Sequence, residues 1–138
     1  MGFHLGRLVD HIHLRTCDLE AARRFYKAIF AVLDVEVSET PDHLSADEFW
    51  LDAGDTPSRV HLAFQARDRA TVDRFYEAAL AAGGRDNGAP GERPYHPGYD
   101  GAFVLDPDGN NIEAVNHGPA ARSAGSVIVT PGEDAPQK

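Results

Sequence analysis

Asp106-Pro107-Asp108-Gly109-Asn110-Asn111-Ile112-Glu113-Ala114-Val115 places a tight turn directly before a short strand. Asp106 opens the turn, Pro107 presets φ at its second position, and Gly109 accepts the left-handed geometry that lets a hairpin continue. Beyond the turn the side chains alternate. Ile112 and Ala114 point to one face, Glu113 and Val115 to the other. A carboxylate between apolar neighbours on a central strand is costly unless it is paired or bound to a cation. On an edge strand the same Glu113 would stand in water. The stretch alone leaves both readings open, and the rest of the chain decides between them.

That stretch closes the second of two similar halves. Residues 8–15 alternate and read as a strand, with Val9, His11 and His13 on one face and Ile12 and Leu14 on the other. Asp18 is a helix N-cap, and Ala22, Phe25, Tyr26, Ile29, Phe30 and Leu33 recur at helical spacing through a helix over 19–33. Two short strands are expected at 35–38 and 49–52, split by a turn at Pro41-Asp42, before a break at Gly54-Asp55-Thr56-Pro57. Then the pattern begins again. Residues 60–66 form a strand, Asp68 is a second cap, and a second helix over 69–82 is stopped by Gly83-Gly84. At an offset of 50, without a gap, His11 falls on His61, Asp18 on Asp68, Arg24-Phe25-Tyr26 on Arg74-Phe75-Tyr76, Ala28 on Ala78 and Ala31 on Ala81. Seven identities in the 21 positions from 11 to 31 exceed composition, and a matched His at the same strand position marks a true repeat.

Residues 84–101 form a long Gly- and Pro-rich loop that is expected to contain a short strand. Residues 102–105 and 112–115 complete the second half, so each half reads β-α-β-β-β. The expected organisation is one domain over 8–118, with module one at 8–55 and module two at 58–118. A C-terminal extension over 119–138 follows, with an extra strand at 126–130 and a disordered end from 131. Residues 1–7, with His4, read as an irregular lead-in.

The 138 residues are 42% hydrophobic and 25% charged, which is ordinary for a globular domain. A net charge of −9 argues against nucleic acid and anionic membranes as partners. The single cysteine, Cys17, excludes an internal disulfide and a cysteine-built metal cage. No apolar run is long enough to cross a membrane, and no basic-then-apolar signal pattern opens the chain. A cytoplasmic setting is expected.

The helices of two βαβββ units cover one face of each sheet and leave the other to line a shared cavity. Ile12, Leu14, Leu62, Phe64 and Ile112 suit the helix-covered face, which turns His11, His61 and Glu113 toward the cavity. Two imidazoles and a carboxylate suit Fe(II), Mn(II), Zn(II), Ni(II) or Co(II), and three ligands leave positions open for water or substrate. His13 shares the face of His11 and is an alternative ligand or a pocket residue. His96 and Tyr99, on the long loop, are candidate catalytic groups that move protons. Phe49 and Trp50 are candidate pocket walls. His43 and His117 read as solvent-exposed.

These residues resemble the vicinal oxygen chelate superfamily, which includes glyoxalase I, type I extradiol dioxygenases, fosfomycin-resistance enzymes and bleomycin-resistance proteins. The resemblance covers residues 8–118. It is carried by Asp10-His11, Leu14-Arg15, Asp18-Leu19 and Arg24-Phe25-Tyr26, then by residues 60–64 and by 106–113. It implies an α+β fold of paired βαβββ modules forming a cupped, eight-stranded mixed sheet around one divalent metal. It places His11, His61 and Glu113 on three family ligand positions and implies a homodimer. Glyoxalase I carries a fourth carboxylate on the last strand of the first module, where this chain has Trp50 or Leu51. Glyoxalase I activity is therefore disfavoured. The expected function is a metal-dependent enzyme acting on a small-molecule substrate with vicinal oxygens. The alternative is a protein that binds an antibiotic or other small molecule without catalysis.

Overall fold

Each half begins with a strand whose alternate residues are apolar, followed by an Asp that caps a helix. The computed structural model describes residues 8–127, 130 and 132. In the first half the elements are β1 (Ile12–Thr16), α1 (Leu19–Val32), β2 (Ser38–Glu39), β3 (His43–Ala46) and β4 (Phe49–Ala53). In the second they are β5 (His61–Gln65), α2 (Arg69–Ala81), β6 (Arg85–Asp86), β7 (Gly91–Glu92), β8 (Asp100–Leu105) and β9 (Asn111–Asn116). Both caps form as the sequence predicts. The Asp18 carboxylate accepts the backbone N–H of Ala21 at 3.1 Å, and the Asp68 carboxylate that of Thr71 at 2.7 Å.

The fold is mixed α+β. The first sheet has the order β1-β4-β3-β2 and the second β5-β9-β8-β6, with β7 also pairing to β8. In both, the first strand of the half lies parallel to its last strand, and the other pairings are antiparallel. Among the described residues the strands form two sheets of four and five, the paired modules of the expected fold with one strand more than the eight expected. The extra strand comes from the long loop, which holds two short strands where one was expected. In the first half, the strand expected at 35–38 forms only from Ser38, and β3 is the strand that the βαβββ pattern requires there but to which the sequence assigned no residues. His43-Leu44-Ser45-Ala46 has a weak apolar signal, but Leu44 and Ala46 face the core.

One apolar core serves both halves. Leu14, Phe25, Tyr26, Ile29, Phe30 and Phe49 of the first half join Val72, Phe75, Val104, Ile112 and Ala114 of the second. The Phe64 ring of β5 lies 5.2 Å from Phe30 and 6.1 Å from Phe49, centroid to centroid. Thus the helix-covered faces of the two sheets meet each other. Their opposite faces stay open: His11, His13, Arg15 and Trp50 are exposed on one, and His61, Ala63 and Gln65 on the other. Among the described residues no helix is long and apolar enough to cross a membrane. The expected lead-in over residues 1–7, with His4, lies outside the described residues, as do Ile128 and Val129 of the expected extra strand and most of 131–138.

Candidate metal centre

The turn before β9 forms as its sequence demands. The Gly109 N–H donates to the Asp106 carbonyl at 2.9 Å, and Gly109 takes φ +90°. Asp106 Oδ1 also accepts the N–H groups of Asp108 (3.0 Å) and Asn110 (2.8 Å). This fixes the register of β9, in which Glu113 pairs with Ala63 of β5 and Phe103 of β8. Glu113 is thus on an interior strand, and it is only 1% exposed. Of the two readings that its sequence left open, the buried one holds.

Both of its oxygens are occupied. Glu113 Oε1 lies 2.9 Å from His61 Nε2, and Oε2 accepts the hydroxyl of Tyr99. The Tyr99 hydroxyl is held well above its usual pKa, first by burial and then by its bond to the Glu113 carboxylate. It remains a donor across the ordinary pH range. His61 is half exposed, and its ring also approaches Phe103 (5.9 Å). The 2.9 Å separation is that of a hydrogen bond, a little short of the roughly 3–3.4 Å between adjacent ligands of one ion when each bond is about 2.1 Å. A small opening of that bond would let His61 and Glu113 take two sites on a single divalent cation.

His11 lies elsewhere. It immediately precedes β1, whose ladder starts only at Ile12, and its Nδ1–H donates to Asp10 at 2.7 Å. That bond leaves Nε2 with a free lone pair, as in a metal-ligating histidine supported by a carboxylate. Among the described residues of one chain, no three His, Cys, Asp or Glu side chains gather closely enough to hold an ion. The reason is the packing above: the two halves share their helix-covered faces, so the open faces bearing His11 and His61 are not turned together within a chain.

Strand register identifies the first-half counterpart of Glu113. Ala63 pairs with Glu113, and its repeat equivalent, His13, pairs with Trp50. Trp50 therefore stands where the second half carries its carboxylate. Trp50 is 38% exposed, and its indole stacks on His43, with centroids 4.0 Å apart and rings 11° from parallel. His43, expected in solvent, is half-buried by that contact. His13, Trp50 and His11 line a hollow of about 350 Å³. Phe49 borders the same hollow, but its ring turns into the core, 4.8 Å from Tyr26 and 2% exposed. Neighbours on a strand face opposite ways, so of this pair only Trp50 presents its ring to the hollow.

His13 Nε2–H donates to Asp52 at 2.8 Å, and that bond, with the nearby Arg15 charge, holds the Asp52 carboxyl below its usual range. Asp52 and His13 both lie on the face that carries Trp50, but they stand 39 residues apart on different strands, so no local pattern pairs them. On the long loop, Tyr99 reaches Glu113, while His96 turns away to His117 at 2.8 Å. His117 is exposed as expected, and this pairing was not visible from the sequence.

A family model described as Glyoxalase/Bleomycin resistance protein/Dioxygenase superfamily matches residues 8–114. Among solved structures, a glyoxalase/bleomycin resistance protein from Albidiferax ferrireducens is 25% identical, with a TM-score of 0.67, covering 78% of this chain and 97% of that one. A glyoxalase-related enzyme from Fulvimarina pelagi is 25% identical, with a TM-score of 0.62, covering 79% and 87%. Lactoylglutathione lyase from Agrobacterium tumefaciens, 20% identical with a TM-score of 0.59 over 79% and 92%, shares the fold. Among curated proteins, none matches the chain in sequence.

Proposed function

Because this chain belongs to the glyoxalase/bleomycin resistance protein/dioxygenase superfamily, we propose that it is a metal-dependent enzyme acting on a small molecule with vicinal oxygens. His61 and Glu113 hold one divalent ion of Fe, Mn, Zn, Ni or Co, and His11 of a second copy completes the set. The observation that carries this reading is the 2.9 Å approach of His61 Nε2 to Glu113 Oε1 on a carboxylate already oriented by Tyr99. The exposure of both open faces supports a homodimer in which each copy covers the other. When bound, the ion supplies a Lewis acid with open positions for two adjacent substrate oxygens.

The remaining work falls to the chain. Tyr99 keeps its proton and holds Glu113 in one orientation. His13, with Nε2–H committed to Asp52, offers Nδ1 as an acceptor to a substrate hydroxyl in the hollow. Trp50 supplies an apolar wall and keeps water from one side. Because Trp50 occupies the counterpart position of Glu113, the site lacks the fourth carboxylate of glyoxalase I, and a lyase, isomerase or dioxygenase using three ligands fits better.

A second reading rests on the Trp50–His43 stack, which offers a flat aromatic surface inside the hollow. There the protein would bind an aromatic ligand without turning it over. Elemental analysis of the native protein separates the two. Near-stoichiometric metal that is lost in His61→Ala, together with a dimer in sedimentation, supports the enzyme. Metal-free protein that binds aromatic ligands tightly, with binding lost in Trp50→Ala, supports the second reading and overturns the first.

A further inference from the structure

We propose a second transition-metal site, formed by His96 and His117 beyond the ring of Tyr99. His96 Nε2 lies 2.8 Å from His117 Nδ1, and the two rings are 20° from parallel. The pair is held together by backbone contact. Gly98 and Gly118 both take positive φ, and a Cβ on Gly98 would lie 2.9 Å from the His117 carbonyl oxygen. A Cβ on Gly118 would lie 3.4 Å from the Cα of Gly98. Only glycine at these two positions lets the loop press this closely on the end of β9. Gly118 is itself tied down, since its N–H donates to Asn116 Oδ1 at 2.9 Å.

The hydrogen bonds define the ligand atoms. The Pro97 carbonyl can only accept, so His96 Nδ1 donates to it at 2.8 Å, and neutral His96 carries its lone pair on Nε2. This is the arrangement that orients metal-ligating histidines, with the second ring nitrogen held by a carbonyl. Without an ion, His117 Nδ1–H donates to that lone pair. With an ion, His117 moves its proton to Nε2 and presents Nδ1, so both imidazoles bind as neutral ligands. The 2.8 Å separation is that of the hydrogen bond, so binding an ion requires the His117 ring to turn and the two nitrogens to open to the roughly 3–3.4 Å edge between adjacent ligands. Two imidazoles, with water filling the remaining positions, select Zn(II), Ni(II), Co(II) or Cu(II) over Mg(II) or Ca(II). The Tyr99 ring meets both histidines edge-on, at 5.4 and 5.2 Å, so this site adjoins the first without sharing a ligand.

The test is Zn(II) titration of the full chain by calorimetry, in a His61→Ala background that removes the proposed first site. One Zn(II) per chain is expected to remain, and to be lost in His61→Ala/His117→Ala and in His61→Ala/His96→Ala. The ring nitrogen resonances of His96 and His117 are expected to shift on addition of Zn(II). Mg(II) is expected to produce neither effect. Circular dichroism of His117→Gln checks that the fold survives loss of the ring. Equal Zn(II) binding with and without His117, or unmoved His96 and His117 resonances, overturns the proposal. The first site fails separately, if His61→Ala leaves the wild-type stoichiometry unchanged.

Discussion

The hydroxyl of Tyr26, on α1, donates a 2.5 Å hydrogen bond to Oδ2 of Asp106, the residue that opens the turn before β9. Both residues are buried. A helix of the first half is thereby fastened to the turn that sets the register of Glu113 in the second. The bond explains how a folded core in one half can position a carboxylate in the other. A one-residue slip of β9 would turn Glu113 away from His61 and toward the helices.

Tyr26→Phe removes the donor and leaves Asp106 Oδ2 with Asn110 Nδ2 as its remaining side-chain partner. The expected cost is about 1–3 kcal/mol of stability, the usual range for a buried acceptor deprived of a bond. Urea unfolding should show a lower midpoint with an unchanged slope.

The same tyrosine imposes an alkaline limit. Burial, and then the Asp106 charge, hold the Tyr26 hydroxyl well above its ordinary pKa. Unfolded tyrosine titrates near 10. Above that pH the unfolded chain loses this proton while the folded chain keeps it, so stability is intact below about pH 10 and falls as the pH rises further. Stability measured from pH 9 to 11 should decline less steeply in Tyr26→Phe than in wild type.

Much of this arrangement was legible in the sequence, and the parts that were not share a cause. The two caps, the glycine of the hairpin and the repeat are local signals, and each formed as read. Strand parity separated Ile112 from Glu113 and Leu14 from His13 because a period of two needs no tertiary knowledge. The position of β3 was not legible because Leu44 and Ala46 give only two apolar positions. The pairings His13–Asp52 and His96–His117 join residues 39 and 21 positions apart, whereas parity had already turned His61 and Glu113, 52 apart, to one side. Periodicity carries no information on such contacts beyond the face each residue occupies. The resemblance narrowed the counterpart of Glu113 to Trp50 or Leu51, and the ladder decides for Trp50, since the repeat loses its identities after residue 31.

Gly84 is where the second helix hands the chain to β6, and it lies against the core. A Cβ there would stand 2.5 Å from Val104 Cγ1 and 2.8 Å from both the Ala79 carbonyl and Phe25 Cε2. The carbonyl cannot yield without breaking its 2.9 Å bond from the Gly84 N–H. Gly84→Ala should destabilise the protein by about 1–3 kcal/mol, as overpacking does elsewhere, measurable as a lowered urea midpoint. Gly125→Ala, with nothing within 4 Å, is the matched control and should be neutral.

The Asp52 carboxyl, held down first by its bond from His13, should titrate below the ordinary value of about 3.9. A depressed folded pKa means that the interaction is fully present above that ordinary value and is lost as pH falls through the folded one. Carbon-detected NMR of Asp52 should give a midpoint that rises toward the ordinary value in His13→Ala. An unmoved midpoint would assign the shift to the Trp50 indole and the Arg15 charge instead.

Tyr99 separates support of the carboxylate from packing. Its hydroxyl reaches Glu113, while its ring packs 4.9 Å from Tyr95 and 5.2 Å from His117. Tyr99→Phe keeps the ring contacts and removes only the bond to Oε2. If Glu113 ligates the ion proposed above, the freed oxygen lets the carboxylate turn, and metal affinity should fall about 10–100-fold, as for other groups that orient a ligand. Competition against a chromophoric chelator measures the change, and His61→Ala sets the limit of full ligand loss. Loss of the fold would appear in circular dichroism, which should be unchanged. An affinity equal to wild type, with the fold intact, would mean that His61 and the β9 backbone orient Glu113 without help from the loop.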